Sequence, residues 1–226
     1  MIKNRCLIIF VKYPEKGKVK SRLAKHLTDN LAVGLYENFV LDIIGAMENG
    51  SFRVKIYFYP EGKEKEIKVS FGEKYEYAAQ KGTDLGERMK NAFLREFTAG
   101  FEQVVLIGSD CPDLPADIIE EAFRFLENQS NVVIGPSMDG GYYLIGFQKD
   151  AFCPDIFSGP QWGNSSVLEK TMNILHSQDK QFSILPAWRD IDTHEDLTGL
   201  IKKSADTPFA RSKTMKFIRD NISIKR

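Results

Sequence analysis

The sequence lacks the features that would tie it to a membrane, a nucleic acid or a disulfide framework. Its N-terminal apolar run, Cys6–Val11, ends at Lys12, too early for a membrane span or the core of a signal peptide. Lys and Arg (31) equal Asp and Glu (31), so net charge is zero and there is no bulk field to gather nucleic acid or acidic lipid. The three cysteines, Cys6, Cys111 and Cys153, are odd in number, widely spaced and without a C-x-x-C pair. That excludes a disulfide scaffold and a zinc knuckle and suits a reducing cytoplasm. No G-x-x-x-x-G-K-[ST] loop is present, which excludes a Walker-type phosphate site. Without internal repeats or low-complexity linkers, residues 1–226 are expected to form a single domain. Residues 204–226 are read as a basic C-terminal tail, because Asp220 alone opposes the cations of Arg211–Arg226.

What is present is an alternation of strand and helix patterns. The chain is long enough to bury most of its apolar surface, and 42% hydrophobic against 27% charged residues is ordinary for a globular protein. Cys6–Val11 reads as a strand buried on both faces. Leu31, Leu35, Phe39 and Ile43 recur every four residues and mark a helix packed on a sheet. Arg53–Tyr59 alternates as a second strand, Glu61–Lys68 is a charged surface helix, and Tyr75–Ala79 a third strand. Helical spacing returns over Leu85–Phe97, followed by the strand Val104–Gly108 and a helix opened by Pro115. Val132–Gly135 and Tyr142–Phe147 are strands joined through a five-residue turn with two glycines, which favours an antiparallel connection. Ser165–His176 is a helix and Phe182–Leu185 a short strand. Thr193 is the N-cap of a last helix. The expected fold is therefore a three-layer α/β/α sandwich, mostly parallel with one antiparallel strand.

Three turns carry carboxylates. Leu106-Ile-Gly-Ser-Asp-Cys-Pro-Asp-Leu114 runs an apolar strand into a tight turn with Asp110 at its carboxyl end, where ligands bind in open α/β sheets. Asp139 lies in Gly135-Pro-Ser-Met-Asp-Gly-Gly141 and Asp192 in Asp190-Ile-Asp192. Asp110 and Asp192 are hard oxygen donors suited to Mg2+ or Mn2+, which complete their shell with water and substrate phosphates. His194 is a candidate third ligand for manganese, against the plainer reading of a surface group at a helix start. Cys111 has no histidine near it in sequence, which leaves it a weak nucleophile. Between Lys12 and Lys25, six cations face one acid, Glu15. A lysine-rich loop entering a helix can cradle a diphosphate, and Lys12, Lys20 and Arg22 are its candidates, with a solvated loop as the alternative. In Gln80-Lys-Gly-Thr-Asp-Leu-Gly-Glu-Arg-Met89, Gly82 permits close backbone approach and Asp84 can cap the next helix. Together with Arg88 they are candidates for a wall of the nucleotide pocket.

Taken together, Lys12-x-Pro14, Gly17-x-Val19-Lys20-Ser21-Arg22-Leu23, Gln80-x-Gly82-x-Asp84-Leu-Gly86-x-Arg88-Met89, Gly108-Ser-Asp110-x-Pro112-x-Leu114, Gly135-Pro-x-x-Asp139-Gly-Gly-Tyr142 and Asp190-Ile-Asp192-Thr193-x-Glu195-Asp196-Leu197 resemble a bacterial family of GT-A-type glycosyltransferases, also described as selenodomain-associated transferases. The resemblance spans nearly the whole chain. It implies the nucleotide-diphospho-sugar transferase fold, shared with nucleotidyltransferases such as the molybdenum-cofactor and 2-phospholactate guanylyltransferases. It also implies a metal on Asp110 joined by Asp192, and phosphate contacts from Lys12, Lys20 and Arg22. The chain departs from the pattern of many sugar nucleotidyltransferases in lacking a glycine-rich first loop with R-M-G. Lys16 stands where the family has a second proline, and His194 where a proline is common.

The first expectation is a metal-dependent transferase with a nucleotide-sugar donor, in which the metal and the cationic loop stabilise the departing nucleoside diphosphate. Asp139 is then a catalytic candidate beside Asp110, as an acceptor-binding group or general base, against a plain hairpin aspartate. The second is nucleotidyl transfer from a nucleoside triphosphate to a phosphorylated acceptor, releasing pyrophosphate. The third is a nucleotide-binding protein without catalysis. All three take a nucleotide sugar or nucleoside triphosphate as partner and leave the acceptor open. None needs nucleic acid or a membrane span.

Overall fold

The structure, a computed structural model, describes residues 4–158 and 166–222. Among these, seven strands form one sheet: β1 (Arg5–Lys12), β2 (Arg53–Tyr59), β3 (Glu76–Ala79), β4 (Gln103–Ile107), β5 (Val132–Pro136), β6 (Tyr142–Gln148) and β7 (Phe182–Ile184). The helices are α1 (Ser21–Ala24), α2 (Asp29–Met47), α3 (Glu64–Phe71), α4 (Leu85–Thr98), α5 (Ala116–Asn128), α6 (Val167–Ser177), α7 (His194–Ser204) and α8 (Lys213–Asn221). The expected start of α6 at Ser165 lies outside the described residues.

Strand order is β3-β2-β1-β4-β6-β5-β7. β1 pairs parallel with β2 and β4, β2 with β3, and β5 with β7. Only β6 is reversed, antiparallel to both β4 and β5, so the single antiparallel strand read from the Gly-rich turn is present. The pleat of β1 explains why it is apolar throughout. Leu7, Ile9 and Val11 enter the core under α2, α3 and α5, while Cys6, Ile8 and Phe10 enter the core under α4 and α6. Each fully buried Leu or Ile there contributes roughly 1.5–3 kcal/mol of transfer free energy.

α2 is buried on two sides. Tyr36, Val40 and Ile43 face the sheet, whereas Leu35 and Phe39 join Leu197, Leu200, Met215 and Ile218 in an outer cluster. The segment read as a solvated tail therefore differs from expectation. Its residues 213–221 form α8, whose apolar stripe packs on α2, and the Asp42 carboxylate accepts from the backbone N–H groups of Lys213 (2.9 Å) and Thr214 (2.8 Å) at its start. Lysines on the outer face hid that stripe. α3 begins three residues later than read, because Pro60 and Gly62 (φ +92°) hold a turn first.

Candidate active site

A cleft of about 470 Å³ opens where β1 and β4 end. β6 begins at the same edge because it runs the other way, with Leu144 opposite Ile107. At its centre lies Lys20. This residue sits in the left-handed region (φ 47°, ψ 40°) as the chain turns into α1. Its ammonium, 2% exposed, is 2.5 Å from Asp110 Oδ1 and 2.9 Å from Asp192 Oδ1 and stands 5.4 Å from the Phe39 ring centroid. A non-glycine residue in this conformation costs of order 1 kcal/mol, offset here by two charge-assisted bonds. Burial opposes the charge on Lys20, yet the two carboxylates outweigh it and raise the pKa. Burial likewise opposes the charge on Asp110, and Lys20 reverses this, holding the carboxyl below its ordinary value.

Backbone and side-chain bonds fix these loops to one another. Ile191 N–H donates to Asp110 O at 2.9 Å, joining the loop after β4 to the loop after β7. Lys12 N–H donates to Tyr36 Oη (2.8 Å), which is 2.9 Å from Ser109 Oγ, so α2 ties the end of β1 to the Asp110 turn. Asp190 accepts from Cys111 Sγ at 3.0 Å and from the Ser137 hydroxyl. Burial first, and then the charges of Asp110 and Asp139, push the Asp190 carboxyl up despite those two bonds.

Of the residues singled out in the sequence, Lys12, Lys20, Arg88, Asp110, Asp139 and Asp192 all line this cleft. Arg88 lies over the Tyr59 ring (4.2 Å) with its Nε bonded to Asp84 O. Arg22, Gly82 and Asp84 do not line it. Arg22 projects from α1 as an exposed residue, because the left-handed turn at Lys20 aims that side chain inward and not its neighbour two residues on. Asp84 makes the plain N-cap bond, accepting from Glu87 N–H at 2.8 Å. Gly82 (φ +144°) lets the chain pass so close to α4 that a Cβ would lie 2.7 Å from Arg88 N. Asp139 is a turn aspartate that also borders the cleft. Its Oδ1 accepts from Gly141 N–H at 3.0 Å, as a turn aspartate does, while the residue lines the cleft.

Lys18, Asp190, Tyr36, Ser109 and Gln80 also line the cleft and were not singled out. For Asp190 a signal existed: in extended chain, residues two apart share a side, so Asp190 travels with Asp192. For Tyr36, one of many buried aromatics, there was none. Cys111 is 4% exposed and its thiol is raised well above its ordinary value, by burial first and then by Asp190, which disfavours the thiolate a nucleophile needs. His194 stacks on His26 (centroids 5.3 Å apart) and does not join the carboxylates as a third ligand.

The donor set fits a hard divalent cation. Asp110 and Asp192 remain about half exposed (47% and 44%), and among the described residues neither Oδ2 has a hydrogen-bond partner. No set of three His, Cys, Asp or Glu residues converges among the described residues. A cation here would take two protein oxygens and complete its shell from water and ligand, as magnesium does beside phosphates.

A seven-stranded sheet in this order, with its cleft at the strand ends and an acid after the central strand, defines the nucleotide-diphospho-sugar transferase fold. Residues 43–164 match the family described as uncharacterized proteins conserved in bacteria (DUF2064), and the chain belongs to that family. The chain is similar to a protein of Desulfovibrio desulfuricans G20, provisionally named a nucleotide-diphospho-sugar transferase, whose crystal structure covers 97% of this chain and 95% of that one at 39% identity and a TM-score of 0.93. More distant solved structures share the fold. CMP:2-keto-3-deoxy-manno-octonic acid synthetase, complexed with CTP, matches 89% of this chain and 98% of its own at 10% identity and a TM-score of 0.54. Rv0371c of Mycobacterium tuberculosis H37Rv, complexed with manganese, matches 88% and 98% at 13% identity and a TM-score of 0.51. No curated protein sequence matches the chain. Among the described residues no helix is long and apolar enough to cross a membrane.

Proposed function

We propose that the protein is a metal-dependent transferase taking a nucleotide sugar as donor, a GT-A-type glycosyltransferase. The observation that carries this reading is the convergence of Asp110, Asp192 and Lys20 in a cleft also lined by Lys12, Lys18 and Arg88. Carboxylates and ammonium groups side by side serve a ligand that brings both a cation and phosphates. The relatives crystallised with CTP and with manganese support the choice of partners.

In this reading Lys12, Lys18 and Lys20 hold the diphosphate and Arg88 closes the wall beside it. Asp110 and Asp192 would hold Mg2+ or Mn2+, which when bound neutralises charge building on the departing diphosphate. Lys20, buried at the centre of the cleft, donates to a phosphate oxygen as that charge grows. Asp139, at the opposite wall, orients the acceptor hydroxyl and accepts its proton. Phe10, Leu106 and Met89 give the cleft an apolar floor that excludes water from the bond being broken. In this proposal residues 1–226 act as a single transferase domain.

Nucleotidyl transfer uses the same residues and differs in products. Phosphorus NMR of the protein with a panel of nucleotide sugars and manganese should show slow release of nucleoside diphosphate even without acceptor, lost in Asp110→Asn and reduced in Asp192→Asn. Pyrophosphate from a nucleoside triphosphate and a phosphorylated acceptor, with no sugar-nucleotide turnover, would replace the first reading with the second. No turnover of either kind, with nucleotide bound, would leave a binding protein.

A further inference from the structure

Charge in the cleft is sorted by strand order. Lys12 and Lys18 come from β1 and its loop and Arg88 from α4, on the β1 side of β4. Across β4, the cleft is lined from the β5–β6 turn and from the exit of β7, by Asp139, Tyr142, Tyr143, Asp190 and Asp192, with no cation among them. Arg189, adjacent in sequence, pairs instead with Asp196 at 3.0 Å, and Lys203 reaches Asp113. Lys20 pairs with Asp110 and Asp192, whereas among the described residues Asp139 and Asp190 make no ion pair. The carboxylates on that side therefore stand without a cation of their own. Asp190 is also anchored, its two oxygens held by Cys111 and Ser137, so it cannot swing away from an incoming group.

The acceptor half of the cleft is therefore negative. This extends the transferase reading above and rests on it. We infer that the acceptor reacts through a hydroxyl and is cationic or uncharged, such as an amino sugar or polyol, and that phosphorylated and carboxylated acceptors are refused. The acceptor hydroxyl oxygen forms a bond to the anomeric carbon of the donor. The bond from that carbon to the diphosphate oxygen breaks, the electron pair leaves with the nucleoside diphosphate, and the acceptor proton passes to Asp139. Approach of a phosphate ester would set two negative charges against the anchored carboxylate, a juxtaposition that is repulsive and is weakened by salt.

Glucosamine, glucose and glucose 6-phosphate present one skeleton at three charges. Their binding to the protein, saturated with GDP or UDP and magnesium, should be measured by calorimetry at low and high salt. Glucosamine should bind tightest, and glucose 6-phosphate at least about tenfold more weakly than glucose. The gap should shrink at high salt and in Asp190→Asn. Binding of glucose 6-phosphate as tight as that of glucose overturns the inference, as does failure of all three sugars to bind. Donor turnover read in parallel separates the two claims. Absent turnover would strike the transferase reading, while the order of the three sugars still decides the sign of the cleft.

Discussion

Lys20 occupies the point between Asp110 and Asp192 that a metal would have to approach. Its ammonium and a divalent ion therefore compete for the same two carboxylates, and the competition has a measurable sign. Lys20→Met should tighten binding of free Mn2+, by about tenfold or more, because removing one neighbouring charge at an effective dielectric constant near 20 is worth more than 1.4 kcal/mol. The same variant should weaken nucleoside diphosphates far more than nucleosides, since only the former meet the lost ammonium. Electron paramagnetic resonance of Mn2+ and calorimetry with both ligands check the two halves. Unchanged metal affinity would mean that the ion pair has no bearing on the metal. Sequence pattern was enough to point at Asp110, Asp192 and Lys20, because each sits beside a strand end or helix start. Arg22 was misplaced for a reason no pattern carries: the left-handed turn at Lys20 rotates the residues after it. Asp190 was passed over because its use depends on Ser137 and Cys111, both distant in sequence.

At the scale of the element, α7 positions the Asp192 turn through its capping box. Thr193 Oγ1 accepts from Asp196 N–H, and Asp196 Oδ2 accepts from Thr193 N–H at 2.9 Å. Burial raises the Asp196 carboxyl, but bonds from Thr193 and Arg189 outweigh it and hold the pKa below its ordinary value. A lowered folded-state pKa contributes stability above the ordinary value near 4, lost as pH falls through the folded value. Asp196→Ala should cost about 1 kcal/mol at pH 7, and the difference from the parent should shrink on acidification. Urea denaturation at pH 7 and at pH 3 checks this. A cost independent of pH would place the effect in helix propensity instead. The Thr193 cap was legible because Thr-x-x-Asp before an apolar residue has a local cause. So was β6, from the glycine pair in its turn. α8 was not, because the partner that makes its face apolar in effect is α2, more than 160 residues away in sequence.

For the molecule as a whole, the loops forming the cleft hang from one continuous sheet, so a ligand bridging them couples to global stability. A nucleotide with manganese at a hundred times its dissociation constant should add roughly 2.7 kcal/mol, a rise of about 5–10 °C in Tm for a chain of this size. Thermal denaturation across nucleotides and nucleotide sugars, with and without metal, checks it, and a shift equal with and without manganese would remove the metal from the site. The three thiols have a practical consequence at this scale. Cys6, Cys111 and Cys153 are all buried, and burial raises the pKa of each, so the native fold presents almost no thiolate near neutral pH. The native thiols are therefore expected to react slowly with thiol reagents. A single thiol introduced at the exposed tip of the β5–β6 turn, as in Met138→Cys (62% exposed), would outrun the native ones and carry a fluorophore beside the acceptor half, reporting occupancy of the cleft without any prior removal of natural cysteines.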